Sequence, residues 1–340
     1  MRRLGLVLLL GVTMGSLPAP VSAQSARSLL NQAKAFFKPL PETPVAKADN
    51  PLTPEKIQLG KMLYHDPRLS KSGFISCNTC HNLAMGGVDG LPTSLGHRWT
   101  AGPRNAPTVY NAALNVAQFW DGRSPDVEDQ ATKPIENPIE MAATESLVVA
   151  RLKSIPTYVE LFRKAFPGEE NPITLTNIGK AIGAFERTLL TPSRFDRFLR
   201  GDLQALSKQE LKGLSLFISK GCVSCHFGVN VGGEKFAKFE RGADLGRFAV
   251  TKEEKDRQVF RVPTLRNVAL TAPYYHTGDV WTLEEAVGIM AEKQLNKQLK
   301  PDEVKAIVAF LKSLTGEIPK DALELPTLPA STATTARPEF

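Results

Sequence analysis

A chain of 340 residues is long enough for about two domains. Its hydrophobic content of 42% and its charged content of 23% are those of an ordinary globular protein. The formal net charge is +7, but basic and acidic residues are interspersed, without a basic block or an aromatic–basic alternation, which argues against a nucleic-acid partner.

Residues 1–23 have the pattern of a secretory signal peptide. Arg2 and Arg3 form a short basic start, residues 4–12 are almost wholly apolar, and small residues precede an expected cleavage site after Ala23. The apolar run is too short to span a bilayer, which takes about 20 residues, so a retained anchor is the less favoured interpretation. We therefore expect an exported, soluble mature protein with no membrane insertion after cleavage.

Two predicted helices lead into the two places where the cysteines lie. In the first, Thr53 is a potential N-cap and Pro54 suits the first helical position. In the second, Ser207 and Glu210 form a capping box, and Gly221 ends the helix one residue before a cysteine. The similar surroundings of the two sites indicate an internal duplication.

All four cysteines belong to two copies of one pattern. The copies are Cys77-Asn78-Thr79-Cys80-His81 and Cys222-Val223-Ser224-Cys225-His226. In C-x-x-C-H the two thiols form thioethers to haem and the histidine supplies an iron ligand. Disulfides would not explain a histidine after each pair, a zinc site would have to join two distant pairs, and a thioredoxin-like motif is normally single. The pattern predicts two covalently attached c-type haems.

Each half also closes with an amphipathic helix, and clear period-2 strands are missing. The apolar faces are Ile178, Ile182, Phe185 and Leu189 in the first half, and Val304, Ile307, Val308 and Leu311 in the second. The predicted fold is mainly α, with two c-type cytochrome domains, each around one haem, and long loops. The predicted units are a signal peptide (1–23), an N-terminal haem domain (24–198), a C-terminal haem domain (199–323) and a flexible tail (324–340).

The two haems are not expected to be equivalent. Met290, in the helix that Thr282 begins, is a candidate sixth ligand for the second haem, since a thioether raises the potential, although a core methionine is the ordinary alternative. The first half offers instead His97, in a loop rich in Gly and Pro, where a histidine can bind iron and leave it. An iron from which a histidine can leave is able to bind a substrate, as the haem of a peroxidase does. Splitting a bound peroxide would need a general acid/base as well, and Glu140 and Glu136 both remain candidates on spacing.

The chain resembles the bacterial di-haem cytochrome c peroxidases over nearly all of residues 50–320. The shared runs are SCNTCHNLAMGG (76–87), GPRNAPTVYN (102–111), QFWDGR (118–123) and FRVPTLRNVALTAPYYHTG (260–278). The resemblance implies that His81 is the proximal ligand of a peroxidatic haem and that His97 is the distal ligand that blocks this haem in the oxidised enzyme. It also makes Glu140 the catalytic carboxylate, Gln130 a distal-pocket residue and Trp120 a residue implicated in passing electrons between the haems.

In the second half, the resemblance makes His226 and Met290 the ligands of a high-potential haem. Asn105, with the carbonyls of Thr271 and Pro273, matches an interdomain calcium site, which no spacing signature would reveal. The resemblance further implies a periplasmic homodimer that reduces hydrogen peroxide to water. Its electrons would come from a reduced cytochrome c or a small copper protein, and reduction of the second haem would release the distal histidine of the first.

Two other functions are to be weighed against the peroxidase. A non-catalytic di-haem electron carrier would keep both irons six-coordinate. A related di-haem enzyme that oxidises tryptophan residues of a partner protein uses Tyr rather than Met at the second haem, so Met290 argues against it, while Tyr274 and Tyr275 keep it open. Glu136, where relatives often have a neutral residue, and the tail are the departures from the family pattern. No role is assigned to His65 or His276, and a structural role near the domain interface is the interpretation open to His276.

Overall fold

The structure, a computed structural model, describes residues 23–340, so the predicted signal peptide lies outside the described residues except at its end. The fold is mainly helical, as predicted. Its helices are α1 (Ala23–Lys34), α2 (Pro54–His65), α3 (Cys77–Cys80), α4 (Val127–Glu136), α5 (Glu145–Lys153), α6 (Pro156–Ala165), α7 (Leu175–Glu186), α8 (Arg194–Arg200), α9 (Lys208–Lys220), α10 (Phe248–Thr251), α11 (Leu283–Leu295), α12 (Pro301–Lys312) and α13 (Lys320–Leu323). A two-stranded antiparallel sheet joins β1 (Phe236–Lys238) to β2 (Val259–Arg261), with Phe236 opposite Arg261. Within residues 23–340, no helix combines the length and the apolar character needed to cross a membrane.

The two halves are built on the same helix crossing. In the first core α2 packs on α7, and a Cβ added at Gly60 would lie 1.9 Å from the carbonyl oxygen of Ala181. In the second core α9 packs on α12, and a Cβ at Gly213 would lie 1.9 Å from the carbonyl oxygen of Ala306. Because only glycine allows such close backbone approach, the matched pairs support the predicted duplication.

The predicted helix starts are present. The side chain of Thr53 accepts from the amide of Lys56, and Pro54 occupies the first position of α2. Ser207 and Glu210 form the capping box of α9, and Gly221 ends that helix with φ of 99°. A left-handed residue at this place turns the chain directly into the second cysteine pair.

The observed domains differ from the predicted boundaries at their ends. Helix α1 and the residue Phe37 that follows it pack into the second core, where Phe37 contacts Phe195 of α8 and Phe217 of α9. The apolar residues of α1 and α8 complete this aromatic cluster, although α1 was assigned to the first domain and the boundary was placed within α8, after residue 198. The boundary is a buried junction rather than an open linker, since the hydroxyl of the fully buried Thr191 accepts from the side-chain amides of Asn111 and Asn267.

The tail was expected to be flexible, but it lies along the first domain. The guanidinium of Arg151 donates to the carbonyls of Ala336 and Arg337, and the amide of Glu339 donates to the carbonyl of Lys71. Buried guanidinium donors require acceptors, and the extended tail supplies them. Each end of the described chain therefore packs on the domain distant from it in sequence.

Candidate functional site

Two cavities lie in the structure, one beside each cysteine pair. Cys77, Cys80 and His81 line the first, which lies in the N-terminal half. Cys222, Cys225 and His226 line the second. All four cysteines are free thiols, and each pair faces its own cavity, so the two pairs do not form one joint metal site. The placement fits one covalently held haem in each cavity.

His81 is held as a neutral imidazole that can bind iron. It follows α3, which the Ser76–Thr79 capping box begins, and its Nδ1 lies 3.0 Å from the carbonyl oxygen of Pro107. Burial lowers the pKa of His81, against the opposing influence of Asp89 and the backbone carbonyl. The hydrogen bond from Nδ1 leaves Nε2 with its lone pair, which is the arrangement that metal-bound histidines use.

His226 is also a buried, neutral imidazole. Burial lowers the pKa of His226 to about 4, and the nearby carbonyls of Val231 and Pro263 oppose this only in part. Its Nδ1 has no hydrogen-bond partner of acceptable geometry among the described residues. A histidine that stays uncharged at neutral pH can donate a lone pair to iron.

Glu140 and Gln130 lie in the wall of the first cavity, and Glu136 does not. Burial raises the pKa of Glu140, while the Arg123 charge and the hydrogen bond from the Asn137 amide, 2.6 Å long, oppose the rise. Glu136 is exposed at the end of α4. The geometry thus distinguishes two carboxylates that the sequence left equal.

His97 lies next to Glu140 but not in the cavity wall. Its backbone amide donates to the carbonyl of Glu140 at 2.7 Å, and its Nδ1 is buried without a hydrogen-bond partner among residues 23–340. Gly96, which lines the cavity, brings the loop so close that a Cβ there would lie 2.0 Å from the carbonyl oxygen of Ile139. Arg98, which follows His97, adopts a positive φ of 55°, which a non-glycine residue seldom does without constraint.

Trp120 lies between the cavities and lines both of them. Its indole Nε1 donates to the carbonyl of Asn105 at 2.9 Å, which holds the ring in place. Residues 105–108 also line both cavities, and the amide of Asn105 donates to the carbonyl of His276. His276 is buried and stacks on Phe260 at a ring separation of 4.1 Å, in keeping with a structural role.

Met290, from α11, lines the second cavity beside Tyr274 and Tyr275. The hydroxyl of Tyr275 donates to the carbonyl of Ala286 at 2.7 Å, and burial raises its pKa. A phenol whose proton is committed to a backbone carbonyl is a poor iron ligand, whereas the thioether of Met290 needs no deprotonation. Asn105, Thr271 and Pro273 also lie in this wall, and the side-chain amide of Asn105 donates to the carbonyl of Leu91.

Sequence reasoning missed two buried charged residues of the site. Glu186 lines the first cavity, and burial, with the charge of Glu128, raises its pKa to about 8. Arg261 lines the second cavity. Each directly follows a buried aromatic residue, Phe185 or Phe260, and a charged residue beside such core residues is the signal that could have found both.

Comparison with known proteins gives consistent matches. The family model described as di-haem cytochrome c peroxidase matches residues 54–204, and the one described as cytochrome c matches residues 211–315. Cytochrome c551 peroxidase of Pseudomonas aeruginosa is 51% identical over 340 residues, covering 97% of each chain, and that of Nitrosomonas europaea is 51% identical over 299 residues, covering 86% of this chain and 88% of its own. The methylamine utilization protein MauG of Methylorubrum extorquens is 39% identical and covers 94% of each chain. The crystal structure of a MauG-like protein associated with microbial copper homeostasis superposes with a TM-score of 0.77 at 31% identity, covering 84% of this chain and 98% of its own.

Proposed function

The chain belongs to the di-haem cytochrome c peroxidase family, and from this premise we propose that it reduces hydrogen peroxide to two waters, taking up two electrons and two protons. The electrons come from a reduced cytochrome c or a small copper protein. The observation that carries this proposal is the inequality of the cavities: Glu140 and Gln130 accompany His81 in the first, and Met290 accompanies His226 in the second. A di-haem protein that only carries electrons does not require a buried carboxyl beside one of its two irons.

When bound, the haems supply one-electron redox chemistry, and the one in the first cavity supplies the site at which peroxide is reduced. Glu140 moves the proton that heterolytic cleavage requires, since burial raises the pKa of this carboxyl above its ordinary value and so favours the protonated form that can return the proton. The Asn137 amide holds the carboxyl in position. Gln130, whose side chain can donate and accept, orients the peroxide in the same cavity.

His97 serves as the removable distal ligand in this proposal. Its loop is anchored through the backbone at Glu140, so the imidazole can change position while the anchor stays in place. Its unpartnered Nδ1 costs free energy in the present arrangement, which favours a second position in which the ring is bound. Trp120 lies where electrons pass from the second cavity to the first.

Three further features belong to the proposal. The protein acts in the periplasm, which is supported by the signal-peptide pattern of residues 1–23 and by the two C-x-x-C-H motifs. Asn105 and the carbonyls of Thr271 and Pro273 hold a calcium ion between the domains; the support for this is that residues of both halves line the same cavity and that side-chain and backbone oxygens are the ligands that calcium takes. The working enzyme is a homodimer, as the family relationship implies.

The test uses purified holoprotein reduced to the one-electron level with calcium present, to which peroxide and a reduced cytochrome donor are added. We expect rapid oxidation of the donor; none, with both haems remaining low-spin, would refute the proposal. Glu140→Gln is expected to lower turnover by roughly 10²–10⁴-fold with haem content kept, because the proton-transferring group is lost. Glu136→Gln is the matched control and should retain wild-type turnover. Similar losses in both variants would move the acid/base role away from Glu140.

A further inference from the structure

Arg261 is a buried cation in the wall of the second cavity. It ends β2, its amide donates to the carbonyl of Trp120 at 2.7 Å, and the residue is only 3% exposed. The residue is one of those that line the second cavity. Burial lowers its pKa to about 10, which still leaves the group charged at neutral pH.

The hydrogen bonds of this guanidinium are few and long. Nε lies 3.3 Å from the carbonyl oxygen of Phe119, and Nη1 lies 3.4 Å from that of Val262, both beyond the usual range for such bonds. Within residues 23–340 no carboxylate forms an ion pair with it; the 22 ion pairs of the described chain include none at Arg261. A five-donor group therefore stands largely unsatisfied at a cavity surface.

Other buried arginines of this chain have their partners. Arg266 donates through both terminal nitrogens to Asp196 at 2.9 Å, and Arg187 binds Glu128. Arg104, in the wall of the first cavity, binds carboxylates of its own. Arg151, which has no carboxylate partner either, donates to five backbone carbonyls. Arg261 has neither a carboxylate nor a full set of carbonyls, which implies that its anion arrives with whatever fills the second cavity, because an isolated buried charge is strongly unfavourable.

We propose that Arg261 binds a propionate carboxylate of the haem attached to Cys222 and Cys225. The inference rests on the haem assignment of the proposed function, and it adds a cofactor-binding residue that also acts on the redox state. A guanidinium–carboxylate bond fixes the edge of the macrocycle next to Trp120. The cation also stabilises the reduced iron, since reduction removes one positive charge from the centre.

The test is the midpoint potential of the second haem, measured by spectroelectrochemistry on holoprotein, together with its propionate-bending band in the resonance Raman spectrum. In Arg261→Gln we expect a lower potential and a shifted propionate band, while Arg261→Lys restores most of the potential because it keeps the charge. Arg241→Gln is the matched control: this guanidinium already pairs with Asp279 and is partly exposed, so neither readout should move.

An unchanged potential and an unchanged propionate band in haem-replete Arg261→Gln would overturn the proposal. If that variant fails to accumulate, the wild-type protein decides: the band must shift on transfer to D2O, as a guanidinium-bonded propionate requires, and an insensitive band overturns the proposal as well. Peroxidase turnover of the wild-type protein is measured separately. Failure of the proposed function would therefore appear there and not in the potential.

Discussion

Arg151→Met is expected to destabilise the first domain, because the side chain makes five of the hydrogen bonds that join the tail and the loop before α3 to this domain. The residue is 1% exposed. Its five N–H groups donate to five backbone carbonyls, those of Arg68, Ser70 and Lys71 in the loop before α3 and those of residues 336 and 337 in the tail. Methionine fills a similar volume but satisfies none of these acceptors.

The expected loss is about 3–4 kcal/mol in the free energy of unfolding. A buried acceptor left without a donor costs roughly 1–3 kcal/mol, and some of the five carbonyls will turn to water once the tail loosens. For a domain of this size, such a loss corresponds to a fall of roughly 10 °C in Tm. The loop amide of Lys71 donates to the carbonyl of Met141, next to Glu140, so the disturbance also reaches the first cavity.

Calorimetry of the holoprotein measures the effect, and elastase cleavage in the tail, after Ala330 or Ala333, reports whether the tail has been released. Arg163→Met is the control, since Arg163 is exposed on the neighbouring helix α6. The expected pattern is a large fall in Tm and faster cleavage in the first variant only. A change in Tm below about 2 °C, with the tail still protected, would show that the carbonyls find other partners and that the reasoning is wrong.

Two further predictions concern the first cavity. His97→Gly is expected to give an enzyme that turns over from the fully oxidised state, because it removes the imidazole and keeps the backbone bond to Glu140; a lag that still requires prior reduction would contradict the gating role. Glu186 keeps its proton in the native state up to about pH 8 because of burial and the charge of Glu128, opposed by Arg187, whereas the unfolded chain loses it near the ordinary value of 4.5. The native state then binds more protons, so wild-type stability falls as pH rises between these values. Glu186→Gln should lack this part of the fall, and denaturant titrations at several pH values that run parallel for both proteins would disprove it.

Local patterns predicted most of the fold correctly. The caps at Thr53 and Ser207 and the glycine at position 221 begin and end helices where they were expected, because these residues satisfy backbone groups within a few positions. The ends of the domains were not predictable in this way. The packing of α1 and the tail depends on contacts with residues more than a hundred positions away, such as Phe217 and Arg151.

The same distinction applies to the candidate site. The two C-x-x-C-H motifs are local and were sufficient to predict two haems. The choice between Glu140 and Glu136 depends on which carboxyl reaches a cavity that only the folded chain forms. Glu186 and Arg261 carry no spacing signature, and their importance follows from burial, which the sequence does not display.

Residues 105–108 line both cavities, and this shared segment explains how unequal haem sites can act as one unit. The carbonyl of Pro107 accepts from His81, and the carbonyl of Asn105 accepts from Trp120. The amide of Asn105 donates in turn to the carbonyl of His276, in the second domain. Proximity alone would allow electrons to pass between two haems. A shared backbone segment also lets the conformation of the second domain set the orientation of the His81 imidazole and of the Trp120 indole, since neither can keep its hydrogen bond if the segment moves.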